Sequence, residues 1–350
     1  MTSEMRREID EQPAVLAQTL QALLPQVPEL RRLARDARQV LFIARGSSDN
    51  AGVYGQYLLP VHSGRLATLA SPSVATAYHA KVDLRGTLAV ALSQSGGTEE
   101  IVETLGWARD GGARTVAVTN TAGSPLTEVA DLSLVTEAGR ERAVPATKTY
   151  TCQLLAVAVL AHALAPTGVG TQLVDELQEV PAAVERSLQR ADDVQPLVEA
   201  LAGVDRVVVS GRGFATSSAL ELALKLEEAC YLSAVGMSYA DLLHGPIAVL
   251  DEHTATNLVA ADDSPVLEGT VHLAGRAQAA GAPVYAIGGG RQLAAASSLA
   301  VPGTDLPELV APLALIVPGQ LLAEQLARRR GIDPDSPRGL SKVTQTEQPG

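Results

Sequence analysis

VLFIARGSSDNAGVYGQYLL (Val40–Leu59) and VVVSGRGFATSSALELALKLEE (Val207–Glu228) are the two stretches that decide the fold. Each opens on an apolar run of strand length and turns at an Arg-Gly pair, Arg45-Gly46 or Arg212-Gly213. Each then continues as a helical pattern. A second matched pair follows, TLAVALSQSGGTEEIVETLGWARDGGARTVAVTN (Thr87–Asn120) and TATNLVAADDSPVLEGTVHLAGRAQAAGAPVYAIGGG (Thr254–Gly290). Both read strand, loop, helix, Gly-Ala turn, strand, and Gly112-Ala113 answers Gly281-Ala282 at nearly the offset of the Arg-Gly pair. Two landmarks at one offset indicate an internal duplication of an α/β unit.

Short Val-, Ala- and Leu-rich strands alternating with longer helical patterns predict parallel sheets covered by helices on both faces. Strands are expected to start near Val40, Leu66, Leu88, Thr115 and Leu132 in the first copy, and near Val207, Asn257, Val284 and Leu299 in the second. The expected organisation is an N-terminal helix (1–30), a first α/β domain (31–165), linker helices (166–200), a second α/β domain (201–335) and a tail (336–350). Within the linker, Pro181 in TQLVDELQEVPAAVERSLQR is expected to mark the entry into a second helix. The polar, Pro-rich tail is expected to be disordered over its last few residues.

Composition narrows the function class. Of 350 residues 46% are hydrophobic and 19% charged, which is globular rather than disordered. A net charge of -12 repels nucleic acid and anionic membrane, so an anionic ligand needs a local site. Cys152 and Cys230 lie in apolar, helix-like segments and are expected to be buried thiols in a reducing compartment. The N-terminal MTSEMRREIDEQ has no apolar signal core, and no apolar run is long enough to span a bilayer. A cytoplasmic chain is expected. No His/Cys/Asp cluster has metal-ligand spacing and no Gly-x-Ser-x-Gly elbow is present, so neither a metal nor another cofactor is expected.

In a doubly wound sheet, ligands bind where loops leave the carboxyl ends of strands and helices begin. LSQSGGTEE (Leu92–Glu100) occupies such a point. Ser93, Ser95 and Thr98 offer hydroxyls, Gln94 an amide, and Gly96 and Gly97 a close approach to backbone N–H groups. The loop lacks the Gly-Lys-Ser/Thr of a nucleotide P-loop. RGSSDN (Arg45–Asn50) could add Ser47 and Ser48 to the same anion. Helix capping explains either loop alone, whereas the two loops in one unit favour a small phosphomonoester. The second copy reads ADDSPV (Ala261–Val266) where the first has SQSGGT, and two carboxylates there exclude a phosphate.

A second cluster lies in ALELALKLEEACYLSAVGMSYADLLHGPIAVL (Ala219–Leu250). Glu221, Lys225 and Glu228 share one helical face at spacings of three and four. The plain reading is a solvated face with intrahelical ion pairs. His244 in LLHGP sits where Gly-Pro ends an element, and a loop histidine can act as acid or base near neutral pH. Lys342 in RGLSKV reads by default as a solvated tail lysine.

These residues resemble the sugar isomerase (SIS) family, and most closely the isomerase half of the glutamine–fructose-6-phosphate amidotransferases. The carrying motifs are ARGSSDNAG, LSQSGGTEE, VPATKTYTCQ, ALELALKLEEACY, DLLHGP and PRGLSKVT, from about residue 30 to 344. The resemblance implies two tandem SIS domains and a sugar phosphate as ligand. It implies that Ser47, Ser48, Ser93, Gln94, Ser95 and Thr98 hold the 6-phosphate. Glu228 then moves the proton between C1 and C2, and His244 opens the sugar ring from the neighbouring subunit of a homodimer. Lys342 contacts the open-chain sugar and can form a Schiff base with a keto sugar, with Ala146, Lys225 and Ser341 as further sugar-side contacts.

Three departures bear on the reaction. No glutaminase half with its nucleophilic cysteine is present in the sequence, so ammonia from glutamine is not an expected reactant. Ala146 in VPATK stands where the resemblance leads one to expect serine, and Val235 and Asp241 where it leads one to expect glutamates. The leading expectation is an amino-sugar-6-phosphate deaminase–isomerase that turns glucosamine 6-phosphate into fructose 6-phosphate and ammonia. The same C2 deprotonation supports a lyase that expels the 3-hydroxyl of N-acetylglucosamine 6-phosphate, and a fructosamine-6-phosphate deglycase is a third enzyme reading. A sugar-phosphate sensor is the non-enzymatic alternative.

Overall fold

A computed structural model describes residues 2–166 and 171–342. The N-terminal segment, expected as one helix, is three: α1 (Glu4–Asp10), α2 (Gln12–Leu23) and α3 (Val27–Leu33). The first copy then runs β1 (Gln39–Ile43), α4 (Ser47–Leu58), β2 (Leu66–Leu69), α5 (Ser73–Thr76), β3 (Thr87–Leu92), α6 (Glu99–Asp110), β4 (Arg114–Thr119), α7 (Pro125–Val129), β5 (Leu132–Val135) and α8 (Lys148–Leu164). Two helices follow, α9 (Gln172–Gln189) and α10 (Gln195–Leu201). The second copy repeats the alternation: β6 (Arg206–Gly211), α11 (Ala215–Cys230), β7 (Ser233–Ser238), α12 (Tyr239–Leu243), β8 (Thr254–Ala260), α13 (Leu267–Ala279), β9 (Val284–Gly288), α14 (Gly290–Ala295), β10 (Leu299–Val301) and α15 (Pro312–Arg329).

The two sheets have one topology. Their orders are β2-β1-β3-β4-β5 and, read from its β7 edge, β7-β6-β8-β9-β10, with every pairing parallel. The doubly wound fold and the duplication expected from the sequence are therefore present. The landmarks match in detail: Gly112 and Gly281 both have positive φ, and the next residues donate equivalent bonds, Ala113 N to Ala108 O and Ala282 N to Ala277 O.

The chain divides into two compact units. The first comprises Ala14–Glu141, Lys148–Gln178 and the tail from Ser341; the second comprises Met1–Pro13, Arg142–Thr147 and Glu179–Leu340. In the first, β3 is buried along its whole length, as a strand covered on both faces must be. Ile43, Ala89, Ala91 and Ala117 pack beneath Ile101, Leu105 and Ala108 of α6 on one face. In the second, Val208, Leu258, Ala260 and Ala286 pack beneath Leu267, Leu273 and Ala274 of α13.

Three expectations are corrected. β7 was absent from the expected strands: SAVGMS is short, half-exposed and interrupted by Gly236, so it has no apolar run to announce it. β8 begins at Thr254, three residues before Asn257, because Thr254 and Thr256 are buried polar residues within the strand. Pro181 lies inside α9, which runs unbroken from Gln172 to Gln189 instead of restarting there. Cys152 and Cys230 are both free and buried, with burial pushing each thiol up to about 12. Among the described residues no helix is long and apolar enough to cross a membrane. Residues 343–350, the end of the tail, lie outside the described residues.

Candidate functional site

In the first unit the strand order reverses between β1 and β3, the switch point where open α/β sheets leave a crevice. The loops leaving these two strands carry the six residues read as a phosphate cradle. After β1, Gly46 takes a positive φ and Ser47 opens α4. After β3, Ser93 to Thr98 lead into α6. Ser93 Oγ accepts from Gly96 N at 3.2 Å and Ser95 Oγ accepts from Gly97 N at 3.2 Å, which folds the loop upon itself. Gln94 O accepts from Asn120 N at 3.0 Å and from Thr119 Oγ1 at 3.2 Å, fixing the loop to the end of β4.

Capping does not account for Thr98 or for the start of α4. Thr98 occupies the N-cap of α6 without a side-chain capping bond, and α4 is capped by Gly46, which has no side chain to cap with. Both helices begin at the carboxyl ends of their strands, which puts the positive ends of their dipoles at this edge of the sheet. The two loops are tied together by Arg45, whose Nε and Nη2 donate to the Glu100 carboxylate at 3.1 and 3.0 Å. That pair also neutralises an acid in the first turn of α6, where a bare carboxylate would oppose an incoming anion. Arg45 tempers the effect of burial on Asp49, whose pKa burial nonetheless raises.

The equivalent loops of the second unit carry carboxylates of the chain itself. They are Arg212-Gly213 and Ala261–Val266. Glu308 Oε1 accepts from Ser264 Oγ at 2.5 Å and lies 3.5 Å from where a Cβ on Gly213 would stand. A carboxylate of the chain is thus bonded to one of these loops and stands beside the other. Burial raises the Glu308 pKa, as does nearby Asp263, while the Ser264 hydrogen bond opposes them. Asp262 Oδ1 accepts from Gly290 N at 2.8 Å, so the acids of ADDSPV have structural partners of their own.

The acid–lysine–acid row lies in the second unit on α11. Its spacing yields the ion pairs expected of a helical face, but the face is not solvated. Glu221 and Lys225 side chains are 0% exposed, and Lys225 Nζ lies 3.4 Å from Glu221 Oε1 and also bonds Glu228 Oε2. Glu228 is the member that reaches solvent, at 22%. A buried ammonium between two carboxylates fixes both acids, since losing it would strand buried charge. Burial, and then Glu228, raises the pKa of neighbouring Glu227.

The remaining candidates are dispersed. His244 is exposed at the carboxyl end of α12, and among the described residues its ring has no hydrogen-bond partner. Ala146 is half-buried in the loop before α8, and Ser341 is exposed. Lys342 is not a solvated tail lysine: its Nζ donates to Glu141 Oε2 at 2.6 Å within the first unit. The sequence reading passed over Glu141, Arg45, Glu100 and Glu308. Arg45 lay within a quoted motif, but its partner 55 residues away gave no local signal. Among the described residues no group of three or more His, Cys, Asp or Glu is arranged to hold a metal ion.

The SIS domain profile matches residues 33–163. The glutamine–fructose-6-phosphate aminotransferase (isomerizing) of Thermococcus kodakarensis is 35% identical over 356 residues, covering 98% of this chain and 58% of that enzyme. The chain thus spans less than two thirds of such relatives. A candidate phosphosugar isomerase from Silicibacter pomeroyi DSS-3 superposes with a TM-score of 0.84 at 32% identity, covering 95% of this chain and 100% of that one. The C-terminal domain of glucosamine-fructose-6-phosphate aminotransferase from Francisella tularensis gives a TM-score of 0.85 at 25% identity, covering 96% and 99%. On the full-length match at 32% identity, with the same doubly wound topology, the chain belongs to the SIS domain family of sugar-phosphate isomerases.

Proposed function

We propose that the chain converts glucosamine 6-phosphate and water into fructose 6-phosphate and ammonia. Ser47, Ser48, Ser93, Gln94, Ser95 and Thr98 hold the 6-phosphate. His244 opens the ring, passing a proton between O5 and O1. Glu228 takes the C2 proton and the electron pair forms the C1=C2 enolamine. The proton returns at C1, leaving a C2 imine that water hydrolyses to the ketone and ammonia. Lys342 steadies the developing charge at the open-chain carbonyl. Ala146 and Ser341 complete the sugar-side contacts, while Lys225, fully buried, acts on the site only by holding Glu228, and the working form is a homodimer that shares His244.

The observation that carries this reading is the row on α11. Glu228 is held by a fully buried ammonium yet reaches solvent, which suits a base that must meet a substrate. The test is incubation with glucosamine 6-phosphate, N-acetylglucosamine 6-phosphate and a fructosamine 6-phosphate, with separate assays for ammonia, keto sugar and unsaturated product. Ammonia with fructose 6-phosphate from the first substrate, abolished in Glu228→Gln while ligand binding persists, is the expected result. Full turnover by Glu228→Gln sinks the mechanism, and an unsaturated product alone converts the reading to the lyase.

A further inference from the structure

The chain has four lysines, Lys81, Lys148, Lys225 and Lys342, and of these Lys81 is the exposed one. Lys148 and Lys225 are buried. Lys342 is half-buried, and a lysine that is not fully buried normally leaves its ammonium in water. Instead its ammonium meets a carboxylate whose side chain is 0% exposed, while the lysine itself is 24% exposed.

Glu141 is prepared for this. Its Oε1 accepts from Thr149 N at 3.1 Å and its Oε2 from Thr149 Oγ1 at 2.6 Å, at the first turn of α8. The helix start favours a negative charge there. The nearby Lys148 Nζ donates to Arg140 O at 2.8 Å. A carboxylate buried and oriented by two hydrogen bonds fixes the ammonium in position as well as in charge, unlike a surface ion pair. We propose that Glu141 is the positioning residue for Lys342, setting where its nitrogen stands for the sugar carbonyl. This rests on the reading of Lys342 as a substrate-facing group.

The test is a double-mutant cycle on the full chain, with Glu141→Gln, Lys342→Met and the pair. Two readouts are taken. The first needs no turnover: acetic anhydride labelling of Lys342 at fixed pH, mapped by peptide mass spectrometry and normalised to Lys81. The second is kcat against KM for the amino-sugar phosphate. Glu141→Gln is expected to change the labelling rate of Lys342 and leave that of Lys81 unaltered. It lowers kcat by about tenfold to a hundredfold, the worth of one charge-assisted hydrogen bond, with little change in KM. In the Lys342→Met background it costs nothing more, and Glu141→Asp recovers part of the loss. Unchanged labelling, or a kcat loss that persists undiminished without Lys342, overturns the proposal. If Lys342→Met retains full activity, the lysine's role in the reaction fails, and the labelling shift separately reports whether Glu141 holds it.

Discussion

Gly96→Ala is the perturbation that most directly tests the cradle. Gly96 has φ +63, and a Cβ there would stand 2.7 Å from Ser124 Cβ and 2.9 Å from Thr119 Oγ1, closer still to Ser124 Oγ. The left-handed backbone costs about 1–2 kcal/mol for alanine, and displacing Ser124 adds about 1–3 kcal/mol. A loss near 3 kcal/mol lowers Tm by about 6–12 °C for a unit of this size. Any part of the clash relieved by the loop shifts the groups that follow Gly96, and one lost charge-assisted donor weakens a phosphate ligand about tenfold or more. Gly97→Ala is the internal control for Tm: it has no positive φ, and its nearest neighbour is Ser95 Oγ at 3.8 Å. Calorimetric titration with fructose 6-phosphate and thermal denaturation of both variants read the two effects. Adding Ser124→Gly to Gly96→Ala should recover the steric part and leave the backbone part. Equal Tm in the two alanine variants would refute the reasoning.

Other expectations are open to direct measurement. Lys225→Met strands two carboxylates in the second unit and should cost about 3–5 kcal/mol in urea denaturation; a loss below about 1 kcal/mol contradicts the burial argument. Burial, and then His162, lowers the pKa of His62, while burial, and then Arg31, lowers that of His162. The unfolded chain therefore binds more protons as pH falls through 6.5, so stability declines there. Tm measured from pH 7 to 5 should fall less steeply in His162→Gln, and parallel curves would count against it. Neither cysteine should react with a thiol reagent at pH 8 until the chain is unfolded, and rapid native labelling would contradict their burial. Mixing inactive Ser95→Ala and His244→Ala chains should restore about a quarter of the activity if His244 crosses a two-fold axis; continued inactivity argues against sharing.

The sequence made the duplication and the position of the candidate loops legible because both rest on local chemistry: Arg-Gly and Gly-Ala turns at one offset, and hydroxyls and glycines between a strand and a helix. Three other features depend on distance or environment. Gly236 lets β7 pack tightly, with its would-be Cβ 2.8 Å from Leu220 Cα, so the strand is specified by its neighbour rather than by its own hydrophobicity. The spacing of Glu221, Lys225 and Glu228 fixes that they pair but not that the face is buried, since the covering residues come from elsewhere. Glu141 and Lys342 are 201 residues apart, and nothing in either local sequence announces the other.

Glu308 gives the two crevices different thermodynamics. In the second crevice Glu308, a carboxyl group of the chain itself, is bonded to Ser264, and that contact is independent of any ligand concentration. If the first draws its anion from solution, then by mass action a ligand at one hundred times its Kd stabilises that unit by about 2.7 kcal/mol. Hydrogen exchange should then slow with rising sugar phosphate in the amides of β1, β3 and β4. The same loop position thus offers hydroxyls and glycines in one copy and carboxylates in the other.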